Sequence, residues 1–358
     1  MYRLDRRGWA VVLPLVLATT VVAGCGTSSS GATSATSTIP TGSALVTAAE
    51  KEGSLTFYAS FSNKELAALA KAFNATYPGI KVDILQSSVD KLTSRLMVEQ
   101  KAQKFNADLF QGDASYANQL IAAGALQPYS PADEPSAPPG LDVPQGYRNV
   151  DSALTTVIAY NPTVIKQRGM AVPTSFADFA QPQWKGQFSA DASGVNWYQS
   201  LMRSMGQARA KTLITRIGAN SPRLSESHTL SLTQVEGGEP VATIAAYGYS
   251  AVTAAESNPT SVAVVNPNPL PSAADLVELV KGAPHPDAAA LYMTWLLSKA
   301  GQQTLISISG RISLRTDVRN DPHAWNPAEW QPVWSTPSVS ATRFNADAAT
   351  LKTAFGEQ

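Results

Sequence analysis

Gly237 to Ser250 reads GGEPVATIAAYGYS. Two glycines and a proline stop any helix that precedes it. Val241 to Ala246 is then a short apolar run, interrupted only by Thr243, of the length of one buried strand of a parallel sheet. At its C-terminal end come Tyr247, Gly248 and Tyr249. In an open α/β sheet, ligands occupy the crevice beyond the carboxyl ends of the strands. Two phenols around a glycine therefore fall where a binding cleft would be. The plainer alternative is one core tyrosine and one at a wet strand end, since tyrosine is intermediate in burial.

On either side of this stretch, strand and helix signals alternate. Upstream, Phe188 to Ala190 reads as a strand. Asp191-Ala192-Ser193-Gly194 follows, then helices near Asn196 to Met205 and Thr229 to Val235. Downstream, Val262 to Val265 is extended, and Pro267, Pro269 and Pro271 mark a crossing segment. Asp287 to Ser298 and Gln302 to Ile308 read as helices. An earlier series runs Leu45 to Glu52 (helix), Leu55 to Ala59 (strand), Lys64 to Tyr77 (helix), Ile80 to Leu85 (strand), Val89 to Lys104 (helix) and Asp108 to Phe110 (strand). Another helix closes over Leu120 to Leu126. Pro128 to Gly146 is a proline-rich loop, and Val150 to Tyr160 is extended. This β-α-β-α-β order predicts right-handed crossovers and a parallel sheet with helices on both faces.

With 358 residues, 44% of them hydrophobic, the chain is long enough for two lobes with real cores. The formal net charge is zero, with no Lys/Arg run, so a nucleic-acid partner is not expected. The single cysteine, Cys25, excludes an intramolecular disulfide and a zinc site of several thiolates. Arg3, Arg6 and Arg7 precede a mostly apolar segment, Gly8 to Ala23, which ends in Val22-Ala23-Gly24-Cys25. That pattern resembles a bacterial lipobox. It makes residues 1–24 a signal peptide and Cys25 a lipidated first residue. Gly26 to Gly42 is Ser/Thr/Gly/Ala-rich and reads as part of a flexible tether, placed at 25–44. The expected location is the outer face of the cell membrane, held by an acyl anchor such as palmitate. A single acyl chain binds only marginally, so stable anchoring needs more than one.

The segments LTFYASFSNKELAALAKAFNATYPGIKVD, ADLFQGDA, VPTSFADFAQPQWKGQF, VEGGEPVATIAAYGYSA and APHPDAAALYMTWLLSKAGQQTL follow one another from about Gly53 to Thr316. In order and spacing they resemble the solute-binding proteins of ABC importers, in the branch that contains the periplasmic ferric-ion-binding proteins. The resemblance implies a type II periplasmic-binding-protein fold. Two α/β lobes are joined by two crossing strands, with a ligand cleft between them. It implies a first lobe of 45–153 and 268–358, a second of 154–267, and a hinge near Ala153 to Ala159 and Val262 to Val265. It also implies a monomer that passes its ligand to an ABC permease and ATPase, and no enzymatic activity.

The resemblance carries site residues over only in part. Iron-binding members have a histidine after their first strand, but Ala59-Ser60-Phe61-Ser62 has none. Asp113 stands where they carry a glutamate. Tyr247 matches the first of their two adjacent tyrosines, Gly248 takes the second place, and Tyr249 follows. Ser193-Gly194 matches the turn that holds a companion anion, and His228 falls loosely where that site has an asparagine.

Two ligand classes follow. Ferric iron is hard and takes anionic oxygen, which Asp113, Tyr247 and Tyr249 can supply. An anion such as a phosphonate or organophosphate suits backbone N–H groups of Ser193, Gly194 and Val195 at a helix N-terminus. Ser60, Ser62 and Asn63 can assist from the other lobe, or simply cap a helix. Trp184 reads as lobe core, Trp197 and Tyr198 as core or cleft wall, and His285 as a loop residue. Trp325, Trp330 and Trp334 are expected to dock on the first lobe. A surface sensor or adhesin on the same fold is the alternative function. A secreted hydrolase finds no G-x-S-x-G, H-E-x-x-H or P-loop motif.

Overall fold

The computed structural model describes residues 39–133, 137, 140, 141, 143–225, 227–335 and 341–356. The expected signal peptide, Cys25 and most of the expected tether lie outside them. Residues 42–44, expected in the tether, already form the first turn of helix α1 (Gly42–Glu52). Gly53 ends α1 at φ 72°, a left-handed conformation that glycine enters without strain. Then come β1 (Ser54–Ala59), α2 (Asn63–Thr76), β2 (Lys81–Gln86), α3 (Val89–Lys101) and β3 (Leu109–Asp113). Leu66, Leu69 and Phe73 recur at helical spacing on α2 and are its buried face. The helix expected over Leu120 to Leu126 lies earlier, as α4 (Ala114–Ala122), and β4 (Leu126–Gln127) takes its end.

The long strand β5 (Val150–Tyr160) leads to α5 (Pro162–Gln167), β6 (Phe188–Ala190), α6 (Val195–Met205), α7 (Gln207–Gly218) and β7 (Arg223–Leu224). These are followed by α8 (His228–Glu236), β8 (Ala242–Tyr247), α9 (Gly248–Ser257) and β9 (Ala263–Val265). A second long strand, β10 (Leu270–Val280), returns to α10 (Pro286–Leu297), α11 (Lys299–Ser309), β11 (Pro332–Trp334) and α12 (Ala341–Phe355).

The strands are ordered β2-β1-β3-β10-β5-β8-β6-β7. β1, β2 and β3 are mutually parallel, as are β6, β7 and β8. β10 runs antiparallel to β3 and β5, and β5 antiparallel to β8. The sheet is thus mixed, and the wholly parallel expectation holds only for its two halves. A first lobe is built on β1–β3 and a second on β6–β8, with β5 and β10 passing between them. The second crossing strand is β10 rather than Val262 to Val265, because β9 pairs with β5 alone.

The first lobe packs its sheet on both faces. Phe57, Phe73, Tyr292 and Leu296 lie on one side, and Phe110, Leu120, Leu276 and Trp334 on the other. Trp334 thereby docks on the first lobe, and Trp325 lies 6.2 Å from it between ring centroids. The second lobe packs Phe179, Trp184, Phe188, Trp197 and Ile214 together. Burying one such side chain contributes roughly 1.5–3 kcal/mol. The last helix departs from the expectation that 268–358 belongs with the first lobe. Leu351 and Phe355 of α12 are buried in the second-lobe cluster, because α12 lies along α7 and α6.

His285 is not a free loop residue. It precedes α10, and its backbone N–H donates to Asp108 Oδ1 at 2.6 Å, with its Nδ1 3.1 Å from Oδ2. Asp108 also accepts from Thr56 N at 2.7 Å, so it ties α10 to the sheet. Ser54 Oγ lies 3.4 Å from His285 Nε2, giving a Ser-His-Asp order at the start of β1. Its carboxylate is committed to two backbone amides, which is a structural anchor. Among the described residues, no helix is long and apolar enough to cross a membrane.

Candidate functional site

β8 is buried along its length and opens at Tyr247. The strand stops there because α9 starts at the next residue, Gly248. A Cβ on Gly248 would lie 2.1 Å from Thr155 Oγ1, so β5 leaves room only for glycine. Strand-to-helix conversion at residue 248 turns Tyr249 back toward its neighbour. The two rings stack with centroids 6.1 Å apart and planes 15° apart.

His228 lies against Tyr247, with ring centroids 3.9 Å apart. Beyond Tyr249, the Arg311 guanidinium carbon lies 5.0 Å from that ring's centroid and 4.0 Å from the centroid of Phe61 in the first lobe. A row of His228, Tyr247, Tyr249, Arg311 and Phe61 therefore runs from one lobe to the other. Arg311 is also paired with Glu65 Oε1 at 2.8 Å and Asp275 Oδ2 at 3.3 Å.

Asp113 ends β3 and caps α4, accepting from Ser115 N at 2.7 Å. Its other oxygen accepts from Asn196 Nδ2 at 2.5 Å, and Asn196 Oδ1 accepts from Ser115 Oγ at 3.0 Å. Both donors to Asp113 are neutral. Burial, reinforced by the Asp275 charge, pushes the Asp113 carboxyl up to about 7. Asp275 and Asp151 are likewise raised by burial. Asp151 occupies the bulge where the β5–β10 register shifts. Burial, and then Asp275, Tyr249, Asp191 and Asp113, hold the Tyr247 phenol protonated well above its usual range. Burial also raises Tyr249, while Arg311 opposes that rise.

The two turns considered for an anion are occupied internally. Asp191 Oδ1 accepts from Ser193 N at 2.7 Å and Ser193 Oγ at 2.5 Å. Gly194 N donates to Asp191 O, and Val195 N to Ser193 O. In the first lobe, Ser60 N and Oγ both donate to Gln111 Oε1 at 3.0 Å. Ser62 forms a capping box with Glu65, and Asn63 is the exposed first residue of α2. His228 Nε2 lies 3.2 Å from Asp191 Oδ2, and its Nδ1 contacts Ala245 O. Both neighbours are hydrogen-bond acceptors.

Asp113, Tyr247, Tyr249, Asp191 and His228 thus converge on the region between the lobes. Ser62 and Asn63 serve as the start of a helix. Trp184 and Tyr198 are core. Trp197 is buried between Phe176 and Phe355 and borders a small recess with Asp191 and His228. Sequence reasoning did not single out Asn196, Ser115, Arg311 or Asp275. Arg311 lies in an irregular segment with no periodicity to mark it. Asn196 looked like an ordinary residue at a helix start. Among the described residues, no three His, Cys, Asp or Glu are grouped to hold a metal, so a metal here would draw on the tyrosines.

Residues 59–303 match the family described as bacterial extracellular solute-binding protein. The chain belongs to that family. Members bind solutes rather than catalyse reactions. The fold of this solute-binding protein is similar to that of iron-bound HitA from Pseudomonas aeruginosa. The TM-score is 0.69 at 23% identity, over 85% of this chain and 99% of that one. AfuA from Actinobacillus pleuropneumoniae, with fructose-6-phosphate bound, gives 0.74 at 17% identity over 86% and 99%. The Trichodesmium protein IdiA (FutA), with iron and citrate, gives 0.63 at 21% identity over 86% and 100%. These likenesses establish a type II periplasmic-binding-protein fold for the solute-binding protein.

Proposed function

We propose that this solute-binding protein is the lipid-anchored receptor of an ABC importer and that it captures a cationic solute between its lobes. Cys25 holds it at the outer face of the membrane, the segment from there to α1 tethers it, and a permease with its ATPase receives the solute. The observation that carries the charge assignment is Asp113. It is buried and held only by neutral donors, while the nearby Arg311 guanidinium and the His228 ring already face carboxylates of their own. A positive solute supplies the missing charge.

Ferric iron is the solute that fits the donors best. Asp113, Tyr247 and Tyr249 offer hard oxygens, and the ion's own charge ionises phenols that burial otherwise keeps protonated. A co-bound chelating anion would complete the ligand set, and HitA with iron and IdiA with iron and citrate share this fold. An anionic solute is less well served. Asp191 occupies the Ser193 turn and Glu65 the Ser62 turn, so both carboxylates would have to leave.

Titration of the purified protein with ferric citrate tests the assignment. Iron on tyrosinate gives a visible charge-transfer band that a chelator removes. Protein that stays colourless while its melting temperature responds to a phosphorylated solute would overturn it.

A further inference from the structure

The C-terminal helix is seated on the second lobe. Leu351 and Phe355 are buried in that lobe's core, and Gln199 Nε2 donates to Asp347 Oδ2 at 3.2 Å. α7 approaches so closely that a Cβ on Gly218 would lie 1.7 Å from Ala354 O. The first turn of α12 reaches the other way. Phe344 is only 8% exposed and meets Tyr116 of α4 edge-on, with centroids 5.3 Å apart and planes at 64°. Tyr116 lies three positions after Asp113, on the first lobe. Beside it, Asn196 of α6 donates to Asp113 and accepts from Ser115 Oγ. Residues 113–116 of the first lobe are therefore gripped by two helices of the second, through one polar and one apolar contact.

We propose that Asn196 and Phe344 form a two-point clasp that draws α4 against the second lobe and holds the cleft shut. β5 and β10 are the strands that join the lobes, so contacts away from them bear on how closely the lobes are held. An edge-on aromatic pair and a hydrogen bond to a carboxylate each bias such an equilibrium several-fold. The clasp makes α12 part of the closing machinery. It goes beyond solute capture and requires no particular solute.

Solution X-ray scattering of the solute-free protein tests this, with Cys25→Ser in every sample to keep the whole chain in solution. The parent should scatter as the closed form. Asn196→Ala with Phe344→Ala should shift the profile to a more extended form, and each single change part of the way. Phe344→Leu, which keeps an apolar partner for Tyr116, should stay near the parent. Tyr116→Ala removes the contact without touching α12 and should shift as Phe344→Ala does. The clasp is overturned if the double variant superposes on the parent. A shift with Phe344→Ala but not with Tyr116→Ala, or a parent that is already extended, overturns it as well. Because no solute is present, failure to bind iron would leave the result intact.

Discussion

Thr155 Oγ1 fills the space that a side chain on Gly248 would need, 2.1 Å from where its Cβ would stand. The crossing strand thus dictates the glycine between the two tyrosines. Gly248→Ala should destabilise the protein by about 1–3 kcal/mol, the usual cost of overpacking. Thr155→Ala in the same chain should recover most of that loss. Denaturant midpoints of the two single variants and the double variant measure the coupling.

Tyr247 neighbours both His228 and Tyr249, whereas Tyr249 also lies under Arg311. Tyr247→Phe should abolish the iron charge-transfer band and leave the melting temperature nearly unchanged. Tyr249→Phe should shift the band and weaken iron binding. Visible absorbance with ferric citrate reads both.

Asp113 titrates near 7 in the folded chain, against an ordinary carboxyl value of 3.8. Between those limits the folded state holds more protons than the unfolded one, so this group lowers solute-free stability as pH rises. Its penalty is complete above about 7 and absent below about 4. Asp113→Asn should flatten the fall in melting temperature between those limits. Cation affinity should move oppositely, rising with pH as Asp113 ionises, and should lose that dependence in the variant.

Arg311 is buried with Glu65 and Asp275 as its partners. Arg311→Ala leaves two carboxylates without a counter-charge, at a cost of about 3–5 kcal/mol. Arg311→Lys should recover only part of it, because lysine lacks the planar fork that stacks between Phe61 and Tyr249. Thermal and urea unfolding measure both.

Cys25→Ser should release the exported protein from the membrane fraction into the medium without changing its solute affinity. Cell fractionation followed by immunoblotting checks this.

The first three strands, their helices and β8 were legible in the sequence because each is a short apolar run bounded by clear stops. β10 was not. Its fully buried run contains Asp275 and Glu278, and Pro269 and Pro271 stand at its start, so its pattern resembles a loop. The strand ends at which Tyr247 and Asp113 stand were legible from motif position. Asp191 was visible beside Ser193, yet its hold on the turn's amide and hydroxyl depends on local geometry that spacing does not reveal. Arg311 lies 246 positions from Glu65, and Asn196 83 positions from Asp113. No local pattern announces partners so distant in the chain.

The guanidinium between Phe61 and Tyr249 touches the two lobes through ring faces, while its directed bonds go to Glu65 and Asp275. Ring-face contacts change slowly with sideways displacement, whereas ion pairs weaken steeply as they bend. Arg311 therefore ties α2 of the first lobe to the crossing strand β10. Tyr249 of the second lobe meets this fixed group through its ring rather than through a directed bond.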